Sequence, residues 1–437
     1  MKDDISKKHK AGFISRKKEA FLKFFRDRAG SIMPMTALVL PLVLGMTGLG
    51  VDVSMWALEK RNLQAAADAA SIAAAWEIAN DVEDMAETSA NREAENNGYD
   101  PSMAGDLSLV IATNQDGNIT VTTALEQDAR VWFSRVFYDG TMRTGARATA
   151  LVTDPIGDFC ILSLDPTESG AVSAVGNVTV ESEGCGIAIN SNDDEAMDLT
   201  GVTFIDMKDI NIVGDYEVGN NVTLQYETLT TGSPRTPDPY QNLEIPEYGA
   251  CDENNFHASG DATLTPGVYC GGISISGNGD IALEPGVYII DAGDFSATGG
   301  GTLVGDGVSI ILTNSTGNNN QWGQFDVSGN REVTLTAPDE GEEMEGVAIY
   351  QDRNAPDGGN QCNKLIGTSA INLDGAAYFP SQCFQIGGDH SLASPGTNPC
   401  SRIIARTVKL NGNPYIANNC DGSAAKDIGQ ILVRLIE

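Results

Sequence analysis

The chain has 437 residues, a formal net charge of −33, 48 glycines and only 6% aromatic residues. That length allows two or three domains with cores of ordinary size, and a glycine-rich, aromatic-poor composition points away from a helical enzyme toward short strands and tight turns. The acidity excludes nucleic acid as a partner of the bulk of the chain, because binding phosphate needs basic side chains that release counterions.

Residues 1–28 run against that trend, with ten Lys/Arg against four Asp/Glu, a balance of +6 that leaves −39 for everything after them. They read as a basic cytoplasmic tail, with a short helix near Phe21–Phe25, whose role is a topology signal and lipid-headgroup contact. Ala29 to Val51 then passes 23 residues without a charge, bounded by Arg28 and Asp52. At 1.5 Å per residue this spans about 34 Å, enough for a hydrocarbon core of about 30 Å. The charge asymmetry makes 1–28 cytoplasmic and the rest exported. Two other readings compete with a retained transmembrane helix. One is a cleaved signal, for which Gly48-Leu-Gly50 supplies small residues. The other is a prepilin-like leader cut after Gly30, which would place Met35 where such leaders usually carry Glu. Pro34 and Pro41 lie within the span. The uncut anchor is favoured.

From Asp52 to about Asn97 the pattern reads as a continuing helix: residues 65–79 hold nine alanines, and Gly98 with Pro101 ends the run. Ala66, Ala70 and Ala74 recur at i, i+4, i+8, a smooth face for close packing against either a partner helix or the chain's own next segment. Leu107, Leu109 and Ile111 alternate with polar neighbours, as do Ile119, Val121 and Thr123 after the Asn114–Asn118 turn, which predicts a hairpin. Val131, Trp132, Val136 and Phe137 suggest a short amphipathic helix, followed by a strand from about Ala146 to Val152. A long helix with a small sheet and short helix resembles a minor-pilin layout. Residues 52–153 therefore form one α+β region, and Asp154–Asp158 marks a boundary.

The remainder, 154–437, is mainly β. Gly260–Tyr269 repeats as Gly279–Tyr288 at an offset of 19, with a degraded copy at Gly301–Val308 and a fourth begun at Leu335–Pro338. The repeated Pro-Gly fits the centre of a type II turn. A period near 20 residues suits one coil of a parallel β-helix, in which stacking buries what a single coil cannot; an irregular β-sandwich is the alternative. Eight cysteines fall only in this part, which fits disulfides made in an oxidising compartment. They allow on the order of a hundred pairings. Spacing favours Cys160 with Cys185, Cys251 with Cys270, Cys362 with Cys383, and Cys400 with Cys420.

Chemistry is scarce. There is no CxxC, and His257 and His390 are the exported histidines, so neither a metal nor a cofactor is expected. No P-loop or nucleophile elbow occurs. Glycan-cleaving β-helices use clustered carboxylates with Arg or Lys, and three groups qualify by composition: Asp193, Asp194 and Glu195; Asp339, Glu340, Glu342, Glu343 and Glu345; Asp352 with Arg353. Runs of consecutive carboxylates are usually solvated loops, and no catalytic residue is assigned.

Arg28 through Asp52, with Ala29-Gly30 opening an apolar run that closes on Gly48-Leu-Gly-Val-Asp52, followed by Leu63-Gln-Ala-Ala-Ala-Asp-Ala-Ala70, resembles TadG-like Flp pilus assembly proteins. In that family a Gly precedes an apolar run ending G-x-x-x-D, and a helix then carries L-Q-x-A-A-D-A-A. The region 106–152 is also similar, and the Leu264–Cys270 segment looks like the longer members. The resemblance implies an inner-membrane protein of the Tad (tight adherence) machinery with its bulk in the periplasm, a structural part working with other Tad proteins in pilus-dependent adhesion and secretion. The rival classes are a membrane-tethered β-helix enzyme acting on envelope polysaccharide and a surface adhesin.

Overall fold

The computed structural model describes residues 32–436 except 81, 115–117, 137, 154–155, 360, 368–370, 389–399, 414, 418–419 and 421–422. The basic tail with Arg28, Ala29 and Gly30, the tip of the Asn114–Asn118 turn, Phe137, Asp154-Pro155 and His390 lie outside the described residues. The chain divides into two compact units. The first takes residues up to Ile78, Val82–Leu151 and the tail from Val433; the second takes 79–81 and Val152–Leu432.

The first unit is led by a long apolar helix, α1 (Ile32–Ala79), which runs through Pro41. Its first half is apolar on every side and exposed from Leu38 to Leu44, whereas Leu63, Ala66, Ala67, Ala70, Ala74 and Ala75 are buried. The helix does not continue to Asn97. It ends at Ala79, and a second helix, α2 (Glu83–Asn96), starts afresh. The Ser89 hydroxyl donates to Glu77 at 2.5 Å. Twelve residues of continuous helix would hold these about 18 Å apart, so α2 folds back on α1. Gly98 closes α2 at φ +108°, a conformation open to glycine. A sheet follows in the order β1 (Asp106–Thr113), β2 (Ile119–Asp128), β3 (Arg143–Val152) and the C-terminal strand Val433–Leu435, with β1 and β2 antiparallel as the alternation predicts. The Ser71 hydroxyl donates to the Ala148 carbonyl at 3.0 Å and the Gln64 amide to Arg147 at 2.9 Å. The alanine face is thus covered by the chain's own sheet, not left for a partner helix.

The second unit is mainly β and pairs almost wholly in parallel, unlike the antiparallel ladders of a β-sandwich. Leu264, Leu283, Gly305, Leu335 and Leu373 stand opposite one another in succession, and Ala262, Ile281, Leu303, Val333 and Ile371 form the next row. The sequence repeat is therefore a stacking repeat, with the inward residues buried and Ala282 and Val304 outside. Tyr269 and Tyr288 stack in the same way, ring centroids 6.1 Å apart. Their register departs from the repeat. Val268 pairs with Ile289 rather than Val287, a two-residue slip that keeps each side chain on its face. Pro266 and Pro285 sit at bends, and Gly267 and Gly286 take φ of +154° and +133°, more extended than the roughly +80° of a type II turn.

A neighbouring stack is entered in its middle. The chain begins it at Ile156–Ser163 and winds through Gly186–Ile189 to Val222–Thr231 at one end. It restarts at Glu253–Ala258 at the other end and winds back until Ser401–Gly412 lies beside Ile156–Ser163. Residues 232–251 run between the two ends over the outer face of this stack, about 48 Å at the usual strand spacing. Ser233 donates to Ile212, Thr236 exchanges hydrogen bonds with Asn190, the Tyr350 hydroxyl donates to Leu243, and Asp252 donates to Val268. This strap closes a second core that includes Tyr240, Tyr350, Tyr378 and Ile404, which is why strands such as Val347–Gln351 are buried on both faces. The disulfides Cys160–Cys185, Cys251–Cys270, Cys362–Cys383 and Cys400–Cys420 are the pairs consecutive in sequence. Cys362 and Cys383 stand directly opposite on neighbouring strands.

Where the end of the winding meets its start, Arg406 gathers three carboxylates: Asp165 at 2.7 Å, Glu168 at 3.2 Å and Asp357. Burial alone would push the Asp165 carboxyl up; the Thr167 and Glu168 N–H groups and the Arg406 guanidinium outweigh it and hold it below the usual carboxylate range. Removing one member of a fully buried pair costs about 3–5 kcal/mol. Arg406 keeps 24% of its side chain exposed, so Arg406→Ala is expected to cost about 2 kcal/mol in denaturant unfolding. The Asp165 contribution is complete above a pH of about 4 and is lost as pH falls from there through the lowered native value, so Asp165→Asn should flatten the acid limb of the stability profile.

Candidate functional site

The features of α1 that face the rest of its own unit form one seam. Gly48, Asp52, Trp56, Glu59 and Leu63 follow at steps of four, four, three and four, one side of a helix, and continue into Ala66 and Ala70. The lower part of the seam holds the loop between β2 and β3. Trp56 Nε1 donates to the Arg130 carbonyl at 3.0 Å, and Glu59 accepts from the Arg130 N–H at 3.3 Å and from Gln127 Nε2 at 3.2 Å. Asp52 is fully buried. It accepts from the Phe133 N–H at 3.2 Å, from the Ser134 N–H at 2.5 Å and from the Ser134 hydroxyl. Burial would raise the Asp52 carboxyl, but these hydrogen bonds outweigh it and the net direction is down, which keeps the charge beside donors that need it. A Cβ placed on Gly48 would lie 3.0 Å from Cβ and Cγ of Phe133. The glycine makes room for the ring, and Asp52 one turn later ties the backbone that carries it. Asp52 therefore does more than flank the apolar run, a role hidden from the sequence because its partners lie about 80 residues on.

The amphipathic helix expected at 131–137 is instead a single 3₁₀ turn, Ser134–Val136. Trp132, Phe133, Val136 and Tyr138 are exposed rather than turned into a core. The apolar pattern is real, but the side chains it would bury stay at the surface, so no core face rewards a longer helix here.

The acidic groups occupy separate local settings. Asp193, Asp194 and Glu195 line a surface turn, where Glu217 beside Glu195 pushes that carboxyl up. Asp339, Glu340, Glu342, Glu343 and Glu345 are exposed on a loop whose Met344 is buried in the outer core. Asp352 accepts from the Thr313 hydroxyl at 2.8 Å, and Arg353 pairs with Asp238 at 3.1 Å and donates to the Tyr240 carbonyl, so both are occupied beside the strap. Among the described residues no three His, Cys, Asp or Glu converge as a metal site.

The first unit thus combines a helix long and apolar enough to cross a membrane with a small sheet packed on that helix's alanine face. Residues 30–77, which cover nearly all of α1, match the family described as "Putative Flp pilus-assembly TadE/G-like". No curated protein and no solved structure matches the chain.

Proposed function

We propose that this chain is a membrane-anchored structural component of the Flp (Tad) pilus assembly machinery, with a cytoplasmic N-terminus in the inner membrane and both folded units in the periplasm. The observation that carries the reading is the coincidence of the family match at 30–77 with a helix that is exposed and apolar in its first half and packed in its second. Such a helix anchors at one end and positions a head at the other. The positive-to-negative charge reversal across the span supports the orientation, and four disulfides support an oxidising compartment. The parallel, wound second unit is read as a β-helix that offers other Tad proteins a long rigid surface and performs no catalysis.

Reporter fusions made after Asp158 test the topology. Activity is expected from a reporter that works only in the periplasm, with the fusion retained in the membrane fraction. A soluble mature protein beginning near Val51 would replace the anchor with a cleaved signal.

A further inference from the structure

We propose that the loop at 130–142 is a second membrane contact, an aromatic wedge that enters the headgroup–acyl boundary beside the outer end of the span. This rests on the reading above that the span crosses a bilayer.

The loop's depth is set by its fastening. Phe133 lies against Gly48, which is four residues inside Asp52 and so about 6 Å into the uncharged run. Pro41, Leu44 and Gly45 of α1 line a common apolar pocket with Phe133, Val136 and Tyr138. Interfacial apolar groups bury to about 5–10 Å. Gly48 lies within that depth and Gly45 to Pro41 about 10–16 Å into the run, so a bilayer that surrounds the span meets this loop from its interfacial level inward.

The loop's chemistry matches that level. Trp132 is 63% exposed, Val136 79% and Tyr138 51%, a contiguous apolar tip that water disfavours. Trp and Tyr prefer the membrane–water interface, where the ring is apolar and the polar tip stays wet. Arg135, also exposed, can extend its stem along the apolar boundary and place its guanidinium among lipid phosphates. The wedge is held and not free: Asp52, Trp56 and Glu59 each hydrogen-bond its backbone. A contact on two sides of one axis would restrict tilt of the span and fix which side of the head faces the membrane. Lipid is favoured over a protein groove as the occupant because the tip is continuous with a lipid-length helix whose own apolar side chains are exposed at the same level.

The test uses the full chain reconstituted in phosphatidylcholine vesicles carrying bromine either near the headgroup or near the acyl end, since bromine quenches tryptophan on contact. Wild type is compared with Trp132→Phe. Leu42→Trp, made in the Trp132→Phe background, reports the middle of the span. The expected result is quenching by shallow bromines that is lost in Trp132→Phe, with Leu42→Trp quenched more by the deep ones. If Leu42→Trp is quenched but wild type and Trp132→Phe behave alike, the wedge is overturned and the span stands. If Leu42→Trp is not quenched, the span lies outside the bilayer and both fall.

Discussion

Tyr240→Ala is expected to destabilise the β unit by about 3–5 kcal/mol, the range for removing a large buried ring. Tyr240 is 2% exposed. It meets Tyr378 edge-on with centroids 5.6 Å apart, and its hydroxyl accepts from the Lys426 N–H at 2.8 Å. Its carbonyl takes the Arg353 guanidinium, which also pairs with Asp238, itself bonded by the Tyr378 hydroxyl at 2.8 Å. One residue thus pins the strap where it crosses the strands that carry Tyr378 and Tyr350. Truncation would leave a cavity and several polar groups without their geometry, and the strap has no ladder of its own to fall back on. Tyr240→Phe keeps the ring and should cost about 1 kcal/mol, the net worth of one hydrogen bond. Denaturant unfolding with the disulfides intact reads both. A loss below about 1 kcal/mol for Tyr240→Ala, no more than an ordinary substitution, would mean the strap is not packed as described.

The parts of this structure that were legible in the sequence rest on local signals. An uncharged run beside a basic tail marks a membrane-length helix. Alternating Leu and Ile mark the β1–β2 hairpin, and the repeated Gly260–Tyr269 pattern marks stacked strands in parallel register. What was not legible depends on residues far apart. Residues 80–97 lack glycine and proline, so nothing local stops the helix at Ala79, and the Ser89–Glu77 contact shows the turn back. Trp132 and Val136 have helical spacing, yet the backbone between them is tied to Asp52, about 80 residues away, through Phe133 and Ser134. Residues 232–251 carry four prolines and no periodicity, so nothing local marks them as a covering strap. Their burial follows from the winding order, which starts mid-stack and leaves a face to be covered. The alanine seam was visible as a seam, but the choice between a partner helix and the chain's own sheet needed Ser71 and Ala148 in place.

Severing the anchor is expected to abolish the protein's contribution to pilus-dependent adhesion. On the proposed reading the chain works by being held beside its partners, so losing the apolar helix would cost function even when the folded units are intact. An enzyme would behave in the opposite way, because a freed catalytic domain still meets its substrate in solution and depends on one particular carboxylate. The exposed acidic loop at 339–345 and the engaged Asp352 and Arg353 supply the residues whose replacement would expose such a dependence.

The most direct measurement counts surface pili in a strain whose chain is exported by a cleavable signal joined after Val51, alongside reducing-end release from envelope glycan by the purified exported part. A scaffold held at the membrane by residues 29–51 predicts loss of pili and no glycan release. Normal pili together with glycan cleavage would contradict it.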